Sequence, residues 1–180
     1  MLKQKIFKKF IPDIFIDSIY DIDLKKLGNL GVKGFIFDID NTLVTYDDLV
    51  APKHTSDWFK TLKTLGFKFC LVSNNNEKGV SEFAAPLGSP YYYKALKPRK
   101  KYLRAACKKM GVEPERTAMV GDQLITDIYG GNRMGMLTVF VKAISDREHW
   151  FVSFKRNIEK MILKGVDIDN EAYLSGDKKD

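Results

Sequence analysis

Short apolar runs that alternate with amphipathic segments constrain the fold of this chain more than any other feature. Each run has the length of a strand, and between the runs apolar residues recur three or four positions apart, as on one face of a helix. The predicted strands are Phe35–Asp38, Lys68–Val72, Thr117–Gly121 and Met136–Val141, and the predicted helices are Thr55–Leu65, Glu77–Leu87, Arg99–Met110 and Leu124–Met134. This order predicts an α/β fold, in which a parallel sheet carries helices on both faces.

The length and composition of the chain fit one domain. Its 180 residues are enough to bury a sizeable core, and 44% hydrophobic content is ordinary for a globular protein. Within a single domain over residues 1–180 we expect a basic amphipathic N-terminal extension at 1–30 and a core at 31–145. A C-terminal amphipathic helix is expected at 146–165, and a mobile tail at 175–180.

Two aspartates, Asp38 and Asp40, follow the first apolar run directly. Strand alternation places them on one side, with Ile39 turned into the core. Two like charges this close repel in a low-dielectric cleft, unless a divalent cation lies between them or one carboxyl holds a proton. Both conditions suit catalysis. The ordinary alternative is a strand followed by an Asx-rich turn.

Polar residues follow the next apolar run as well. Ser73 stands at its carboxyl end, where a hydroxyl beside free backbone N–H groups is suited to hold a phosphate oxygen. Further on, Lys97 precedes Pro98, a residue that can serve as the first of a helix. A lysine held there can neutralise a developing phosphoryl charge. The alternative for Ser73 is a plain polar turn. The alternative for Lys97 is one more surface lysine in a chain that has many.

The third apolar run ends in Gly121 and Asp122, and Asp127 follows five residues later. Magnesium binds in proteins through one or two carboxylates together with water and substrate phosphate. An N-cap aspartate with a solvated aspartate one turn on is the structural alternative. Because ligands of open parallel sheets bind beyond the carboxyl ends of the strands, the four motifs should meet at one edge. Together they favour a phosphoryl-transfer site.

In order and spacing, the motif set resembles that of the haloacid dehalogenase superfamily of phosphohydrolases. The pattern is Asp38-x-Asp40-x-Thr42, then Ser73, then Lys97-Pro98, then Gly121-Asp122-x-x-x-x-Asp127, within roughly residues 33–141. The resemblance implies a three-layer, Rossmann-like fold. Only about thirty residues separate Asp40 from Ser73, and fewer separate Ser73 from Lys97, so we expect no cap domain. Asn41 stands where many relatives have glycine, and Asp-Asn-Thr is a variant of one capless branch.

The resemblance also implies a role for each matched residue. Asp38 would attack phosphorus and become an aspartyl-phosphate, and Asp40 would act as general acid and then as general base. Phosphoryl oxygens would be bound by Thr42, Ser73, Asn74 and Lys97. Magnesium would be held by Asp38, the backbone carbonyl of Asp40 and Asp122, with Asp127 ordering a bound water or Lys97.

The positive charge of the chain is concentrated near the proposed site. The formal net charge is +7, and residues 94–109 hold eight basic residues and no acidic one. Lys97, Lys101, Arg104 and Lys108 recur at helical spacing and predict a cationic stripe that begins at Lys97, with a merely solvated helix face as the alternative. The basic amphipathic segments near both ends could lie on an anionic bilayer or pack on the core.

The fuller pattern, with Asp-Ile-Asp-Asn-Thr-Leu and Gly-Asp-Gln-Leu-x-Thr-Asp, resembles the small capless bacterial phosphatases grouped with phosphatidylglycerophosphate phosphatases. This implies a magnesium-dependent phosphomonoester hydrolase that acts on an anionic phospholipid with peripheral membrane contact. A sugar phosphate phosphatase is the alternative, and a nucleic-acid-binding module with vestigial catalytic residues is another. We expect no nucleic-acid partner, since no aromatic–basic RNA motif is present.

The sequence also predicts where the chain resides. No stretch of about 18 apolar residues occurs, and the N-terminus lacks the apolar centre of a secretion signal. Cys70 and Cys107 lie far apart in apolar segments and are expected to be buried, reduced thiols. We therefore expect a cytoplasmic protein, with peripheral contact to the cytoplasmic membrane left open.

Overall fold

The computed structural model describes residues 8–45 and 50–145 and contains a six-stranded sheet in which every pairing is parallel. The strands are β1 (Ile14–Ile16), β2 (Gly34–Phe37), β3 (Lys68–Val72), β4 (Tyr91–Tyr92), β5 (Thr117–Gly121) and β6 (Leu137–Val141). Their order across the sheet is β1-β6-β5-β2-β3-β4. The predicted α/β class and parallel sheet are confirmed.

Four of the five α-helices in the described residues overlap the predicted helical segments, and the helix Leu24–Asn29 was not predicted. The five helices are α1 (Leu24–Asn29), α2 (Lys53–Thr64), α3 (Glu77–Leu87), α4 (Lys100–Met110) and α5 (Tyr129–Asn132), the last preceded by a π-helical turn at Leu124–Ile128. Short 3-10 turns occur at Lys8–Phe10, Ile19–Asp21 and Pro114–Arg116. Within the described residues the connections between strands contain no inserted cap domain, as expected.

Strand β2 lies inside the sheet, between β5 and β3. All four of its residues are buried. Its side chains alternate between two apolar cores. Phe35 and Phe37 pack against the core that includes Phe59 of α2, whereas Ile36 packs against the core that includes Leu103 of α4. Apolar side chains therefore cover both faces of the sheet, and the three-layer arrangement is confirmed.

The start of helix α4 corrects two expectations. Pro98 is not its first residue, because Arg99 occupies the N-cap position and the helix begins at Lys100. Lys97 consequently lies outside the helix, and only 6% of its surface is exposed. The cationic face of α4 therefore does not begin at Lys97, which points into the protein.

The residues assigned to the N-terminal extension contribute to the sheet. Ile14–Ile16 forms β1, which pairs with β6, and the ring of Phe15 lies 5.4 Å from that of Phe140. Ile19 and Leu27 are buried in the main core. Within this segment Ile14–Ile16 therefore lie in the sheet and Phe10 stacks on Tyr129, whereas residues 1–7 lie outside the described residues. The helix expected at 146–165 and the tail at 175–180 lie outside the described residues.

Two further observations bear on the expectations for location. No helix in the described ranges is long and apolar enough to cross a membrane. Cys70 and Cys107 are buried and form no disulfide, as predicted. Burial raises the pKa of the Cys70 thiol to about 12.

Candidate active site

The chain reverses its direction of travel across the sheet at β2, and this reversal opens a cleft. From β2 the chain moves outward to β3 and β4, and then returns to the other side of β2 to form β5 and β6. Loops that leave β2 and β5 therefore diverge at their carboxyl ends, which is where ligands bind in open α/β sheets. The predicted acidic motifs follow these two strands, so the topology brings them together.

Lys97 lies at the centre of the cleft between two carboxylates. Its Nζ atom is 2.7 Å from Oδ1 of Asp38 and 2.7 Å from Oδ1 of Asp127. The three side chains are 7% exposed or less. Burial alone would lower the pKa of Lys97, but Asp127 and Asp38 outweigh this effect and raise it, so the lysine carries its charge.

A strained loop delivers Lys97 to this position. Lys94 and Leu96 have positive φ angles of 43° and 52°, a conformation that costs a non-glycine residue roughly 1–2 kcal/mol. The loop is fixed to the end of β3, since the Ala95 N–H donates to the Ser73 carbonyl and the Lys97 N–H donates to Oδ1 of Asn74 at 2.8 Å. Asn74, predicted to bind phosphate, therefore holds the lysine loop and also lines the cleft.

Asp40 is oriented by two residues that follow β3. Its Oδ2 accepts from Oγ of Ser73 at 3.0 Å, and its Oδ1 accepts from Nδ2 of Asn75 at 3.1 Å. Burial and the nearby charge of Asp38 raise the pKa of Asp40 against these two hydrogen bonds. Asn75 was not among the predicted site residues. The Asn74–Asn76 run signals polar side chains at this strand end, but only the tertiary structure shows which amide reaches Asp40.

Three buried aspartates form a group that fits a divalent cation. Asp38, Asp122 and Asp127 each offer a carboxylate oxygen, and these oxygens all lie within 4.8 Å of one another. Oxygen donors of this kind suit hard cations, and a cation among them would offset the repulsion of three buried negative charges. Burial raises the pKa of Asp127 despite the opposing effect of Lys97.

The structure explains the residue types at Gly121, Thr42 and Asn41, which stand near the carboxylates of the site in the sequence. A Cβ atom at position 121 would collide with the carboxylate of Asp127, so only glycine fits before Asp122. The Thr42 hydroxyl donates to Oδ1 of Asp122 at 3.2 Å and fixes that side chain. Asn41 adopts a φ angle of 60°, which explains an asparagine or glycine between Asp40 and Thr42.

The cleft itself is small and polar, with a volume of about 280 Å³. It is lined by Asp38, Asp40, Asn74, Asn75, Lys97, Gln123 and Thr126. The last two were not predicted, and the Thr126 hydroxyl donates to Oε1 of Gln123 at 3.1 Å. Thr42 and Ser73 lie behind the lining carboxylates and are 2% and 0% exposed, so their binding of phosphate stays a prediction.

An open parallel sheet whose switch point holds buried aspartates and a clamped lysine is the architecture of a phosphoryl-transfer enzyme. The protein-family model described as haloacid dehalogenase-like hydrolase matches residues 45–135 of this chain. The Bacillus subtilis protein named "Probable phosphatase YqeG" is 41% identical over 159 residues, which are 88% of this chain and 92% of that protein. The chain belongs to the haloacid dehalogenase-like hydrolases and is a phosphatase.

A second sequence relative and a solved structure are also similar to this chain. Phosphatidylglycerophosphate phosphatase 1 of Chlamydomonas reinhardtii is 30% identical over 164 residues, which are 83% of this chain and 60% of that protein. The cobalt-bound deoxy-D-mannose-octulosonate 8-phosphate phosphatase of Haemophilus influenzae superposes with a TM-score of 0.52 at 19% identity. That comparison covers 77% of this chain and 90% of the other, and it supports the fold alone.

Proposed function

We propose that this phosphatase hydrolyses phosphomonoesters through a phosphoryl group carried on Asp38, with Mg²⁺ as cofactor. The observation that carries the proposal is the clamped lysine, whose Nζ atom lies 2.7 Å from Asp38 and from Asp127. A buried cation of this kind balances the charge of the attacking carboxylate and of the phosphoryl group that it receives. The substrate is a phosphorylated compound, in agreement with the phosphatase relatives.

In the first half-reaction, an oxygen of Asp38 attacks phosphorus and forms an acyl phosphate while the bond from phosphorus to the leaving oxygen breaks. Asp40 gives its proton to that oxygen, so the product leaves as an alcohol. Both carboxyls line the same cleft. The hydrogen bonds from Ser73 and Asn75 hold Asp40 in one orientation for the transfer.

In the second half-reaction, water attacks the phosphorus of the acyl phosphate. Asp40, now ionised, takes a proton from this water, and the bond between phosphorus and Asp38 breaks to release inorganic phosphate. Asp38 regains its carboxylate and Asp40 its proton. Lys97 stays between Asp38 and Asp127 throughout and keeps the nucleophile in place.

The residues that would hold Mg²⁺ are Asp38, Asp122 and Asp127, with the backbone carbonyl of Asp40. The Thr42 hydroxyl on Asp122 and the Gln123 N–H on Asp127 fix two of these carboxylates. When bound, the ion supplies positive charge that lets an anionic nucleophile approach an anionic substrate. A buried cluster of three carboxylates supports a hard divalent cation, and the choice of magnesium is tested below.

For the physiological substrate we propose phosphatidylglycerophosphate, presented at a membrane surface. Support comes from the relative with that activity in its name, at 30% identity. The cleft volume of about 280 Å³ also lies near the lower end of the range typical of sites that enclose a small molecule. The cleft therefore suits a phosphoryl group projecting from something larger.

The test is a phosphate-release assay of the wild type, Asp38→Asn and Asp40→Asn, each with magnesium and with chelator. The panel contains phosphatidylglycerophosphate in vesicles, a set of sugar phosphates and a 5′-phosphorylated oligonucleotide. We expect the wild type to prefer the lipid and both variants to be inactive on every substrate. Turnover that survives in either variant would contradict the residue roles, and a preference for sugar phosphates would contradict the lipid substrate.

A further inference from the structure

Four cations are carried by three elements that pack against one another. Lys9 belongs to the 3-10 turn Lys8–Phe10, Lys100 and Arg104 lie one turn apart on α4, and Arg133 caps α5. These four residues are called the docking cluster. Because residues four apart on a helix are neighbours, Lys100 and Arg104 present their charges on one face.

Specific contacts hold the three elements together. Nδ2 of Asn132 donates to the carbonyls of Lys9 and Ile11, each at 2.9 Å, and the rings of Phe10 and Tyr129 stack with centroids 4.4 Å apart. Nη1 of Arg133 donates to the Pro98 carbonyl at 3.5 Å. The cations therefore lie on a packed surface and not on independent tails.

No acidic residue neutralises this surface within residues 8–45 and 50–145. The ion pairs there join Lys60 to Asp57, Lys97 to Asp38 and Asp127, and Lys142 to Asp17, and none involves the docking cluster. Desolvation, together with the charges of Arg133, Arg104 and Lys9, lowers the pKa of Lys100. A large anionic partner would relieve this repulsion.

One contact and one turn of the chain connect the docking cluster to the cleft. Arg133 contacts the carbonyl of Pro98, which directly follows Lys97. Gln123 and Thr126 line the cleft and begin the turn that continues into α5. On the other side of Lys97, Leu96 is 57% exposed, so an apolar side chain stands at the same loop.

We propose, on the basis of the proposed lipid substrate, that the docking cluster binds the anionic surface of a bilayer and turns the cleft toward it. Cations beside an exposed leucine suit a membrane, whose surface offers both negative headgroups and an apolar layer. Single-stranded RNA fits less well, because the Tyr129 ring already stacks on Phe10 and lies 5.3 Å from Cζ of Arg133, so two neighbours occupy it before any base could stack there.

The test compares the full chain with two double variants that change the net charge equally. Lys100→Glu with Arg104→Glu alters the docking cluster, and Lys108→Glu with Lys109→Glu alters the far end of the same helix. Sedimentation measures binding to vesicles of phosphatidylcholine, with and without phosphatidylglycerol. Turnover of a soluble phosphomonoester confirms that each variant is folded and active.

We expect the cluster variant to lose binding to phosphatidylglycerol vesicles by at least about thirty-fold, with the control variant changing by less than about threefold. Equal losses in both variants, equal binding to neutral vesicles, or competition by RNA at lower concentration than by vesicles would overturn the docking surface. A cluster-dependent association without hydrolysis of phosphatidylglycerophosphate would contradict the substrate alone. Hydrolysis of vesicle lipid with unaltered binding in the cluster variant would contradict the docking surface alone.

Discussion

A buried ion pair in the cleft and an exposed ion pair on the surface differ in how strongly water screens them, although the charged atoms are almost equally far apart in the two pairs. Lys97 is 2.7 Å from Asp38, and the two side chains are 2% and 7% exposed. Lys60 is 2.8 Å from Asp57, but those side chains are 74% and 51% exposed. Since water screens the second pair and not the first, burial decides how much each pair contributes. The buried charges are those to which we assign chemistry, and the exposed ones are available for association.

The largest expected effect is on the nucleophile. Asp38→Asn removes the oxygen that would attack phosphorus, so kcat should fall by roughly 10⁴-fold or more. The matched control is Asp57→Asn at the exposed pair, which should leave kcat within about twofold. Steady-state kinetics with a soluble phosphomonoester measures both. Comparable losses in the two variants would mean that burial does not distinguish the carboxylates.

Removal of the buried cation should affect both rate and stability. Lys97→Met leaves Asp38 and Asp127 without their counter-charge, so kcat should fall by roughly 10³-fold. The free energy of unfolding should drop by about 3–5 kcal/mol, as when one partner of a buried ion pair is removed. Lys60→Met should cost less than about 1 kcal/mol. Urea denaturation measures the free energy of unfolding of both variants. Equal denaturation midpoints for Lys97→Met and Lys60→Met would contradict the difference between the buried and the exposed pair.

Metal affinity should depend on the buried aspartates and not on exposed ones. Asp122→Asn should weaken Mg²⁺ binding by at least about tenfold, because a neutral amide replaces a carboxylate that Thr42 holds in place. Calorimetric titration of the chelator-treated protein measures this without reference to activity. Asp57→Asn is the control. Unchanged affinity in the Asp122 variant would exclude that residue as a ligand.

Surface charge should respond to salt more than the cleft does. The Debye length falls from about 10 Å at 0.1 M to about 3 Å at 1 M ionic strength. Turnover of lipid in anionic vesicles should therefore drop several-fold over this range, whereas the same lipid diluted in neutral micelles should be hydrolysed at a nearly constant rate. An identical salt response in vesicles and micelles would argue against electrostatic docking.

The smallest effect concerns the strained loop that carries Lys97. Leu96 and Leu65 are both 57% exposed, but Leu96 has a φ angle of 52° and Leu65 one of −77°. Leu96→Gly should leave the free energy of unfolding unchanged or raise it by up to about 1 kcal/mol, since glycine adopts positive φ without strain. Leu65→Gly should lower it by about 0.5–1 kcal/mol. Thermal denaturation that orders the variants the other way would refute the assigned strain.

Much of the fold could be predicted, because apolar residues recur in the sequence at the positions that face the core. Glu77–Leu87 forms a helix with the predicted bounds, and Lys68–Val72 forms the predicted strand. The strands Ile14–Ile16 and Tyr91–Tyr92 were missed, because two or three residues show no alternation and pair only through tertiary contacts. Lysines also precede Ile14–Ile16, and a basic apolar segment has the same pattern whether it lies on a membrane or in the sheet.

The site could be predicted less completely. Asp38, Asp122 and Asp127 meet as expected, because they follow strands whose carboxyl ends share one edge of the sheet, and the loop after β4 brings Lys97 to them. The contact of Asn75 with Asp40 depends on the path of one loop and has no local sequence signal.

The most direct measurement is to trap the covalent intermediate. The wild-type protein is mixed with substrate and Mg²⁺, quenched within one turnover and reduced with borohydride, which converts an aspartyl phosphate to homoserine. Peptide mass spectrometry should then find homoserine at position 38, and Asp38→Asn treated in the same way should show none. Homoserine at another aspartate, or at none while phosphate is being released, would contradict the account.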